Sequence, residues 1–242
     1  MQKSTRALKN QVALITGASR GIGLALAIAL AEQGCNLILT ARNEKSPEKA
    51  GRELQRYEVQ VLAQPCDVRD PNSVKSLFRA IRREFPRLDI LINNAGIGHK
   101  SLPIEKLPFP TWKDVLATNL DGTFLITQAA LGMMRTGSTI VNNLSIAATR
   151  VFAGSSAYNA SRHAALGFTN TLREELRARG IRVIGVQPGA TDTEIWKTLW
   201  PQAPRRKMMS PASVAQAILV AIMLPPSATV ENIEILPSVG TL

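Results

Sequence analysis

Short apolar runs alternate with longer stretches of helical pattern from one end of the sequence to the other. The runs are rich in Val, Ile and Leu at every position, which is typical of strands buried on both faces of a parallel sheet. We predict strands over residues 11–16, 35–40, 59–63, 88–92, 138–143, 181–187 and 230–236. We predict helices over residues 21–33, 44–57, 71–85, 111–134, 156–179 and 211–223. The alternation predicts an α/β fold, a doubly wound and mostly parallel sheet of about seven strands flanked by helices.

No linker, repeat or composition break divides this alternation. We therefore expect residues 1–242 to form a single domain, a size that one hydrophobic core supports. Only two cysteines occur, Cys35 and Cys66, and both are expected to be small buried residues. So few cysteines exclude a disulfide scaffold and suit a cytoplasmic protein. The longest apolar stretch near the N-terminus, residues 21–31, falls well short of the about 20 residues that a membrane-spanning helix needs.

The chain is strongly basic, with 29 Lys and Arg against 18 Asp and Glu and a formal net charge of +11. The basic residues are spread along predicted helices among glutamates, as on solvated helix faces. Aromatic residues make up 5% of the chain and do not interleave with them, which argues against a surface for stacking nucleic-acid bases. The charge therefore favours a general attraction to anionic ligands, with no nucleic acid or membrane as partner.

The first predicted strand runs directly into a glycine-rich turn, Thr16-Gly17-Ala18-Ser19-Arg20-Gly21-Ile22-Gly23, and then into a helix. Glycines permit a tight turn and let the backbone approach a diphosphate, which free N–H groups at the start of a helix bind. The spacing is Gly-x-x-x-Gly-x-Gly rather than the dinucleotide fingerprint Gly-x-Gly-x-x-Gly. The turn therefore predicts a diphosphate site, with a merely tight strand-to-helix connection as the alternative.

Further motifs follow the later strands. Asn93-Asn94-Ala95-Gly96 follows the fourth strand, Ser145 the fifth and Pro188-Gly189 the sixth, while Asn119 lies in a long helix and Tyr158 comes 13 residues after Ser145. With these motifs in this order, nearly the whole chain resembles the short-chain dehydrogenase/reductase family, in its single-domain form. The resemblance implies a Rossmann-like oxidoreductase that transfers hydride between a nicotinamide cofactor and a carbonyl compound or secondary alcohol.

The resemblance also implies which residues take part in catalysis, substrate binding and cofactor binding. The implied catalytic residues are Asn119, Ser145, Tyr158 and Arg162, and the implied substrate contacts are Ser145, Tyr158 and Trp196. The implied cofactor contacts are Gly17, Ser19, Arg20, Gly21, Ile22, Gly23, Arg42, Asn43, Asp67, Val68, Asn94, Ala95, Gly96, Tyr158, Arg162, Pro188, Gly189, Thr191 and Thr193. No metal site is predicted, because neither His99 nor His163 has partners at metal-ligand spacing.

Charge after the second predicted strand bears on the choice of cofactor. An NAD site usually places Asp or Glu there to accept hydrogen bonds from the ribose 2′-hydroxyl, whereas arginine accommodates a 2′-phosphate. Here the sequence reads Leu39-Thr40-Ala41-Arg42-Asn43, with no acid before Glu44, and Arg20 lies inside the glycine-rich turn. Arginine pairs well with phosphate oxygens. We therefore predict NADP(H), with ordinary solvated arginines as the alternative.

One position departs from the family. A phenol, whose ordinary pKa is about 10, needs a nearby cation to exchange protons at neutral pH, and the family supplies a lysine four residues later. Here Arg162 stands at that distance from Tyr158. Arginine keeps the charge and can bond ribose hydroxyls, but guanidinium is planar, larger and unable to pass on a proton. Three interpretations stay open: a slowed enzyme, an adapted enzyme, or a cofactor-binding protein without turnover.

Three other family positions have alternative explanations. Asp67 is implied to accept the adenine amino group, and it can also cap a turn. Asn93-Asn94-Ala95-Gly96 is implied to support the sheet and line the adenosine ribose, although Asn and Gly also favour turns. Asn119 is implied to bend its helix and hold a water in a proton relay, with a buried hydrogen-bonded amide as the alternative.

Residues 191–209 join the sixth strand to the last helix and resemble the mobile lid of the family. Four apolar residues there occur at helical spacing: Ile195, Trp196, Leu199 and Trp200. A lid that turns two indoles inward suits an apolar carbonyl compound, whereas packing onto the body or another subunit is the alternative. The predicted activity is NADP(H)-dependent interconversion of a ketone or 3-oxoacyl compound and its alcohol.

Two macromolecular partners are also considered. The helices over residues 111–134 and 156–179 match those through which family members form dimers and tetramers. Arg135, Arg179 and Arg205-Arg206-Lys207 are expected to share the rim of the substrate cleft, where their field would steer an acidic acyl carrier protein. A free apolar carbonyl compound is the alternative to a carrier-linked substrate.

Overall fold

The computed structural model describes residues 7–43 and 45–240 and contains the predicted sheet. Its seven strands are β1 (Val12–Thr16), β2 (Asn36–Ala41), β3 (Val61–Pro65), β4 (Ile90–Asn93), β5 (Thr139–Asn143), β6 (Arg182–Pro188) and β7 (Asn232–Ile235). They lie in the order β3-β2-β1-β4-β5-β6-β7, and every neighbouring pair is parallel. The predicted fold class, a doubly wound parallel sheet flanked by helices, is confirmed.

The helices cover both faces of this sheet. They are α1 (Gly21–Glu32), α2 (Lys45–Leu54), α3 (Pro71–Glu84), α4 (Phe109–Leu116), α5 (Gly122–Ala130), α6 (Ser156–Arg177), α7 (Trp196–Leu199) and α8 (Pro211–Ile222). Because strand side chains alternate between faces, β1 sends Ala13 and Ile15 to one core and Leu14 to the other. The first core also contains α1 and α8, and the second contains α3, α5 and α6. Apolar residues on both strand faces therefore fold into two cores with one sheet between them.

The sequence correctly predicts how α3 begins. The Asp70 carboxylate accepts a hydrogen bond from the Asn72 backbone N–H at 2.9 Å, and Pro71 occupies the first helical turn, where its missing N–H costs nothing. The third strand is less well predicted, since it runs over Val61–Pro65 instead of 59–63. It is an edge strand, and its register is set by its pairing with β2.

The long helix predicted over residues 111–134 is interrupted. Between α4 and α5 the chain makes a π-helical turn over Ala117–Asp121, with Asn119 at its centre. The Asn119 carbonyl there accepts a hydrogen bond from the Thr123 hydroxyl at 2.9 Å. Single π-helical turns are frequent at functional sites, and this one directs the Asn119 side chain toward the loop after β4.

The order of the strands reverses between β1 and β4, so a crevice opens at the carboxyl ends of these two strands. Ligands of doubly wound sheets bind at this point. Among the residues that the structure describes, no helix is both long enough and apolar enough to cross a membrane.

Candidate active site

A cavity of about 870 Å³ lies at the carboxyl edge of the sheet. Most predicted site residues line it: Gly17, Ser19, Arg20, Gly21, Ile22, Arg42, Asp67, Val68, Asn94, Ala95, Gly96, Ser145, Tyr158, Arg162, Pro188, Gly189, Thr191, Thr193 and Trp196. Gly23, Asn43 and Asn119 are absent from the lining. We call the part beside the glycine-rich turn the turn end, and the part beneath residues 195–200 the lid end.

The glycine-rich turn needs its glycines for two different reasons. Gly17 and Gly21 have φ angles of +64° and +57°, a left-handed conformation that side chains disfavour. Gly23 instead permits close approach, because a Cβ atom there would overlap the Gly17 carbonyl oxygen and lie 2.5 Å from Nδ2 of Asn94. Gly23 therefore supports the turn from behind, which explains why it does not reach the cavity.

Hydrogen bonds join the turn to the end of β4. The Thr16 hydroxyl oxygen accepts the backbone N–H groups of Asn94 and Ala95 at 2.9 and 3.0 Å. The Asn94 amide in turn donates to the carbonyl oxygens of Thr16 and Gly17 at 2.9 and 3.1 Å. The Asn93 amide has a different role, since it donates to Asn142 on the neighbouring strand β5 and to Thr127 on helix α5. The Asn-Asn-Ala-Gly motif therefore forms a turn and also joins the end of β4 to the end of β1 through hydrogen bonds.

Asp67 lies directly after β3 and is held by Arg69. The Arg69 guanidinium donates to both carboxylate oxygens, with the shortest distance 2.7 Å, and also to Asp114 at 3.2 Å. This hydrogen bonding holds the pKa of the Asp67 carboxyl below its usual range. The Asp67 carboxylate also accepts the Arg69 backbone N–H at 3.0 Å, so it caps this turn, the alternative named above. Asp67 is therefore both a turn cap and a fixed anion on the wall of the turn end.

Arg20 and Arg42 are both exposed and both line the turn end. They stand at the start of α1 and at the end of β2, on two sides of the same part of the cavity. Asn43, the next residue after Arg42, is exposed and lies outside the lining. Two cations therefore face an anion that would enter here.

The Asn119 side chain is completely buried and engaged with the protein. Its amide donates to the Ile97 carbonyl at 2.9 Å and to the Ser161 hydroxyl at 3.0 Å, and its oxygen accepts the Ile97 N–H at 2.9 Å. These contacts connect the π-helical turn, the loop after β4 and α6. The alternative named above, a buried hydrogen-bonded amide, describes this side chain.

Ser145 and Tyr158 both line the cavity, one directly after β5 and the other in the first turn of α6. The Ser145 hydroxyl oxygen accepts the Ala147 backbone N–H at 3.1 Å, which fixes the direction of the side chain. One strand and one helix thus bring a hydroxyl and a phenol to the same cavity. Both groups can donate or accept a proton in hydrogen bonds.

Arg162 lies one turn after Tyr158 and is buried, with 5% of its surface exposed. Its guanidinium carbon is 5.1 Å from the centre of the Tyr158 ring, a cation–π distance, and Nη1 donates to the Asn143 carbonyl at 3.3 Å. Nη2 occupies the place where a Cβ atom of residue 96 would stand, so the larger guanidinium needs Gly96. Nε is buried without a hydrogen-bond partner in the described part of the chain. The arginine is therefore fixed against the phenol, with unused donor capacity.

The lid contains a single helical turn, α7. Trp196 is half-buried and donates from Nε1 to the Thr191 carbonyl at 2.8 Å, whereas Trp200 is 46% exposed, although both indoles line the cavity. The base of the lid is anchored by a bridge between Thr191 and Met209 and by an ion pair between Asp192 and Arg205. The lid end is thus mostly apolar, and only one indole is well turned inward.

The expected position of two arginines is wrong. Arg135 precedes β5, with its backbone bonded to Ser138, and Arg179 precedes β6 and donates to the Leu131 carbonyl. Both therefore lie at the amino edge of the sheet, a full strand length away from the cavity. Arg205-Arg206-Lys207 form a short 3-10 turn within the lid, where Arg205 pairs with Asp192, and none of the three lines the cavity.

The remaining candidates are structural. His99 is buried and His163 exposed, and each contacts a nearby backbone carbonyl through Nδ1. Cys35 and Cys66 are buried free thiols, as predicted, and burial raises the pKa of Cys35 to about 12. Within residues 7–43 and 45–240, no group of His, Cys, Asp and Glu is placed to hold a metal ion.

The structure adds lining residues that sequence reasoning missed, among them Arg69, Gly98, Asn143 and Phe152. Arg69 follows Asp67 by two residues, and this spacing was the signal for it. Gly98 carries no such signal, because its role depends on a lid residue about one hundred positions away.

Comparison with known proteins agrees with this geometry. The model of the short chain dehydrogenase family matches residues 11–204. An uncharacterized oxidoreductase of Staphylococcus aureus is 33% identical over 232 residues, 95% of this chain and 98% of that protein. The 3-oxoacyl-[acyl-carrier-protein] reductase of Vibrio cholerae is 35% identical over 221 residues, 87% of this chain and 89% of that protein. The solved alcohol dehydrogenase of Thermococcus sibiricus, complexed with 5-hydroxy-NADP, is similar with a TM-score of 0.87 and 31% identity, over 93% of this chain and 95% of that one.

Proposed function

This chain belongs to the short-chain dehydrogenase/reductase family, and from that premise we propose that it is an NADP(H)-dependent carbonyl reductase formed by a single domain. The observation that carries the proposal is the meeting of two groups of residues in one cavity. The glycine-rich turn lies at one end, and Tyr158 lies farther along with Ser145 and a buried cation, Arg162.

The turn end fits a nicotinamide dinucleotide. The left-handed conformations of Gly17 and Gly21 turn the chain directly into α1, whose first backbone N–H groups suit a diphosphate. The fixed Asp67 carboxylate suits the amino group of an adenine. Arg20 and Arg42 favour a 2′-phosphate on the adenosine ribose, because arginine makes forked hydrogen bonds to phosphate oxygens. NADP(H) is therefore the proposed cofactor.

The remaining site residues then have separate roles. The bound reduced cofactor supplies a hydride for the carbonyl carbon. Tyr158 donates its hydroxyl proton to the carbonyl oxygen, and Ser145 donates a hydrogen bond that orients the same oxygen. Arg162 stabilises the phenolate left on Tyr158, and its guanidinium lines the cavity where the ribose hydroxyls of the cofactor would lie. Asn119 acts as a positioning residue, because it holds the loop after β4 against α6.

The test is NADPH consumption with a panel of apolar ketones, for wild type and Tyr158→Phe. We expect turnover by wild type and a loss of about 10²- to 10⁴-fold in kcat for Tyr158→Phe, the usual range for removing a general acid. NADPH affinity should stay within about 3-fold, since the hydroxyl is the only group removed. If wild type is no faster than Tyr158→Phe on every ketone, the proposal is wrong.

A second candidate function is favoured by Arg162 alone: a cofactor-binding protein with weak or no catalysis. Guanidinium does not pass on a proton, whereas the lysine of the family can. Arg162→Lys separates the two candidates. A fall in kcat means that the site is adapted to arginine, whereas a rise from negligible to ordinary turnover at similar NADPH affinity favours the second candidate.

The carbonyl compound is proposed to be free and apolar. The relative from Vibrio cholerae is named for a carrier-linked 3-oxoacyl substrate, which makes that class the alternative. Against it, Arg135 and Arg179 lie at the other edge of the sheet, so the positive rim expected for an acidic carrier protein is reduced to residues 205–207. Rates on a carrier-linked 3-oxoacyl chain that fall steeply with salt would favour the alternative.

We also propose that copies of the chain associate through the α4, α5 and α6 side. Phe109 is 69% and Phe124 45% exposed there, and Phe124 makes an edge-to-face contact with Phe168 of α6. Exposed apolar side chains mark an interface when they form a contiguous patch, whereas single exposed ones are ordinary. Sedimentation of a 26.2 kDa species alone at micromolar concentration would contradict the association.

A further inference from the structure

Gly98 lies in the loop after β4, on the wall of the lid end. Its φ angle is outside the left-handed region, so the backbone there accepts any L-residue. A Cβ atom at this position would overlap Cδ2 of Leu199, lie 2.9 Å from its Cγ and lie 3.6 Å from its Cδ1. Leu199 therefore fills the space that a side chain at residue 98 would occupy.

The contact joins two separate walls of the cavity. Leu199 is the last residue of α7, whereas the loop after β4 belongs to the body of the protein and is fixed by Asn119. The base of the lid has polar anchors in the Thr191–Met209 bridge and the Asp192–Arg205 pair. At the far end of the lid, the contact of Leu199 with Gly98 determines how closely α7 approaches the body.

We infer that Gly98 is a specificity-determining residue: the absence of a side chain there lets Leu199 seat the lid, and this seat limits the size of the ketone beneath it. The identity of the substrate as a ketone rests on the proposed function, whereas the contact between Leu199 and Gly98 does not depend on it. A methyl group at residue 98 meets Cγ of Leu199 as well as Cδ2, so a change of the outer rotamer alone does not relieve the overlap. Relief therefore requires either that Leu199 turn about its Cα–Cβ bond or that α7 move away from the body, and either change removes the seating contact.

The experiment compares wild type with Gly98→Ala, Leu199→Ala and the double variant. Two aryl ketones serve as probes, acetophenone and the larger 2-acetylnaphthalene. For Gly98→Ala we expect KM for acetophenone to rise at least about 10-fold, with a smaller rise or a fall for 2-acetylnaphthalene and NADPH affinity within about 3-fold. In the double variant the added methyl group takes the space that Leu199 vacates, so KM for acetophenone should return to within about 3-fold of wild type.

Gly132→Ala is the matched control. Gly132 is an exposed glycine outside the left-handed region, and no heavy atom lies within 4 Å of a Cβ atom built there. It should leave both KM values unchanged. Two results would overturn the inference. One is a KM for acetophenone that rises as much in the double variant as in Gly98→Ala, and the other is a KM that rises equally for both ketones in Gly98→Ala.

Limited trypsin digestion gives a readout that needs no turnover. Trypsin cleavage sites within the lid are supplied by Lys197, Arg205, Arg206 and Lys207. We expect Gly98→Ala to be cut there at least about 5-fold faster than wild type, and the double variant to return toward the wild-type rate. Unchanged digestion of Gly98→Ala overturns the inference even in a protein without activity. Absence of turnover by wild type, with the digestion pattern as expected, contradicts the proposed function and leaves the seating contact in place.

Discussion

The two ends of the cavity are built in different ways. The turn end is assembled from hydrogen bonds between the ends of neighbouring strands, in which Thr16 and Asn94 exchange bonds through backbone and side chain. The lid end is closed by a one-turn helix whose far end rests on an apolar contact between Leu199 and Gly98. The turn end is therefore a rigid site that a ligand must fit. At the lid end, the position of α7 depends on the size of one side chain, that of residue 98.

A glycine-to-alanine substitution at each end, Gly23→Ala and Gly98→Ala, should reveal this difference. We expect the larger loss of ligand binding at the turn end. Gly23→Ala places a methyl group onto the Gly17 carbonyl oxygen, and a backbone atom in this turn has no room to move. We expect NADPH affinity to fall by about 100-fold, measured by calorimetric titration, because overpacking costs about 1–3 kcal/mol.

The second-site variant makes the comparison sharper. Asn94→Ala removes the other atom that the Gly23→Ala methyl group meets, but the carbonyl oxygen stays. We therefore expect no recovery of NADPH affinity in the Gly23→Ala/Asn94→Ala variant, in contrast to the recovery of KM in the Gly98→Ala/Leu199→Ala variant. Recovery at the turn end would mean that both ends adapt, and that the distinction between them is wrong.

A change of charge at the turn end is expected to have a smaller effect that is selective for the cofactor. Arg42→Ala removes a hydrogen-bond donor to a charged group, worth about 1.5–3 kcal/mol, so NADPH affinity should fall about 10- to 100-fold. NADH lacks the 2′-phosphate, and its affinity should change less than about 2-fold. Arg52→Ala, on the exposed side of α2, controls for net charge. Equal losses for both nucleotides would contradict the assignment of Arg42 to the phosphate.

The smallest effect concerns pH and Asp67. Arg69 keeps the pKa of this carboxyl below its usual range, so the charged form stabilises the folded protein above that range. This stabilisation is lost as the pH falls through the lowered pKa. Arg69→Leu should raise the pKa toward its ordinary value, so the variant should be less stable than wild type at neutral pH and should lose less stability as the pH falls. Because both side chains are partly exposed, we expect less than about 1 kcal/mol.

Urea unfolding of wild type and Arg69→Leu between pH 3 and pH 7 measures this shift in the free energy of unfolding. Arg83→Leu is the control, since Arg83 is an exposed arginine on the neighbouring α3. Identical pH dependence of wild type and Arg69→Leu would mean that the Arg69 contact does not hold the carboxylate in solution.

The difference between the two ends also explains which parts of the site were predictable. Local patterns determine the turn end: apolar strands predict β1 and β4, and the motifs at their ends follow within a few residues. The four-residue spacing of Tyr158 and Arg162 also predicts that the two side chains lie one helical turn apart, and the structure places Arg162 over the Tyr158 ring and beside Gly96.

Other features depend on contacts between distant segments, and periodicity does not show them. The family resemblance implied a bend at Asn119, but helical period alone predicts an unbroken helix, because the bonds of Asn119 to Ile97 and Ser161 join distant segments. The separation of Arg135 from the cleft follows from the edge of the sheet at which α5 ends, not from its charge. The need for glycine at residue 98 becomes visible only in the structure, where the Leu199 side chain packs against it.

The central claim is that this cavity transfers hydride from NADPH to a ketone, with Tyr158 as the proton donor. The most direct measurement uses NADPH carrying deuterium at the transferable position of the nicotinamide and follows the alcohol product by mass spectrometry. The account predicts deuterium on the carbinol carbon with wild type, and a yield at least about 100-fold lower with Tyr158→Phe. NADPH binding without deuterium transfer to any ketone, or equal transfer by wild type and Tyr158→Phe, would contradict it.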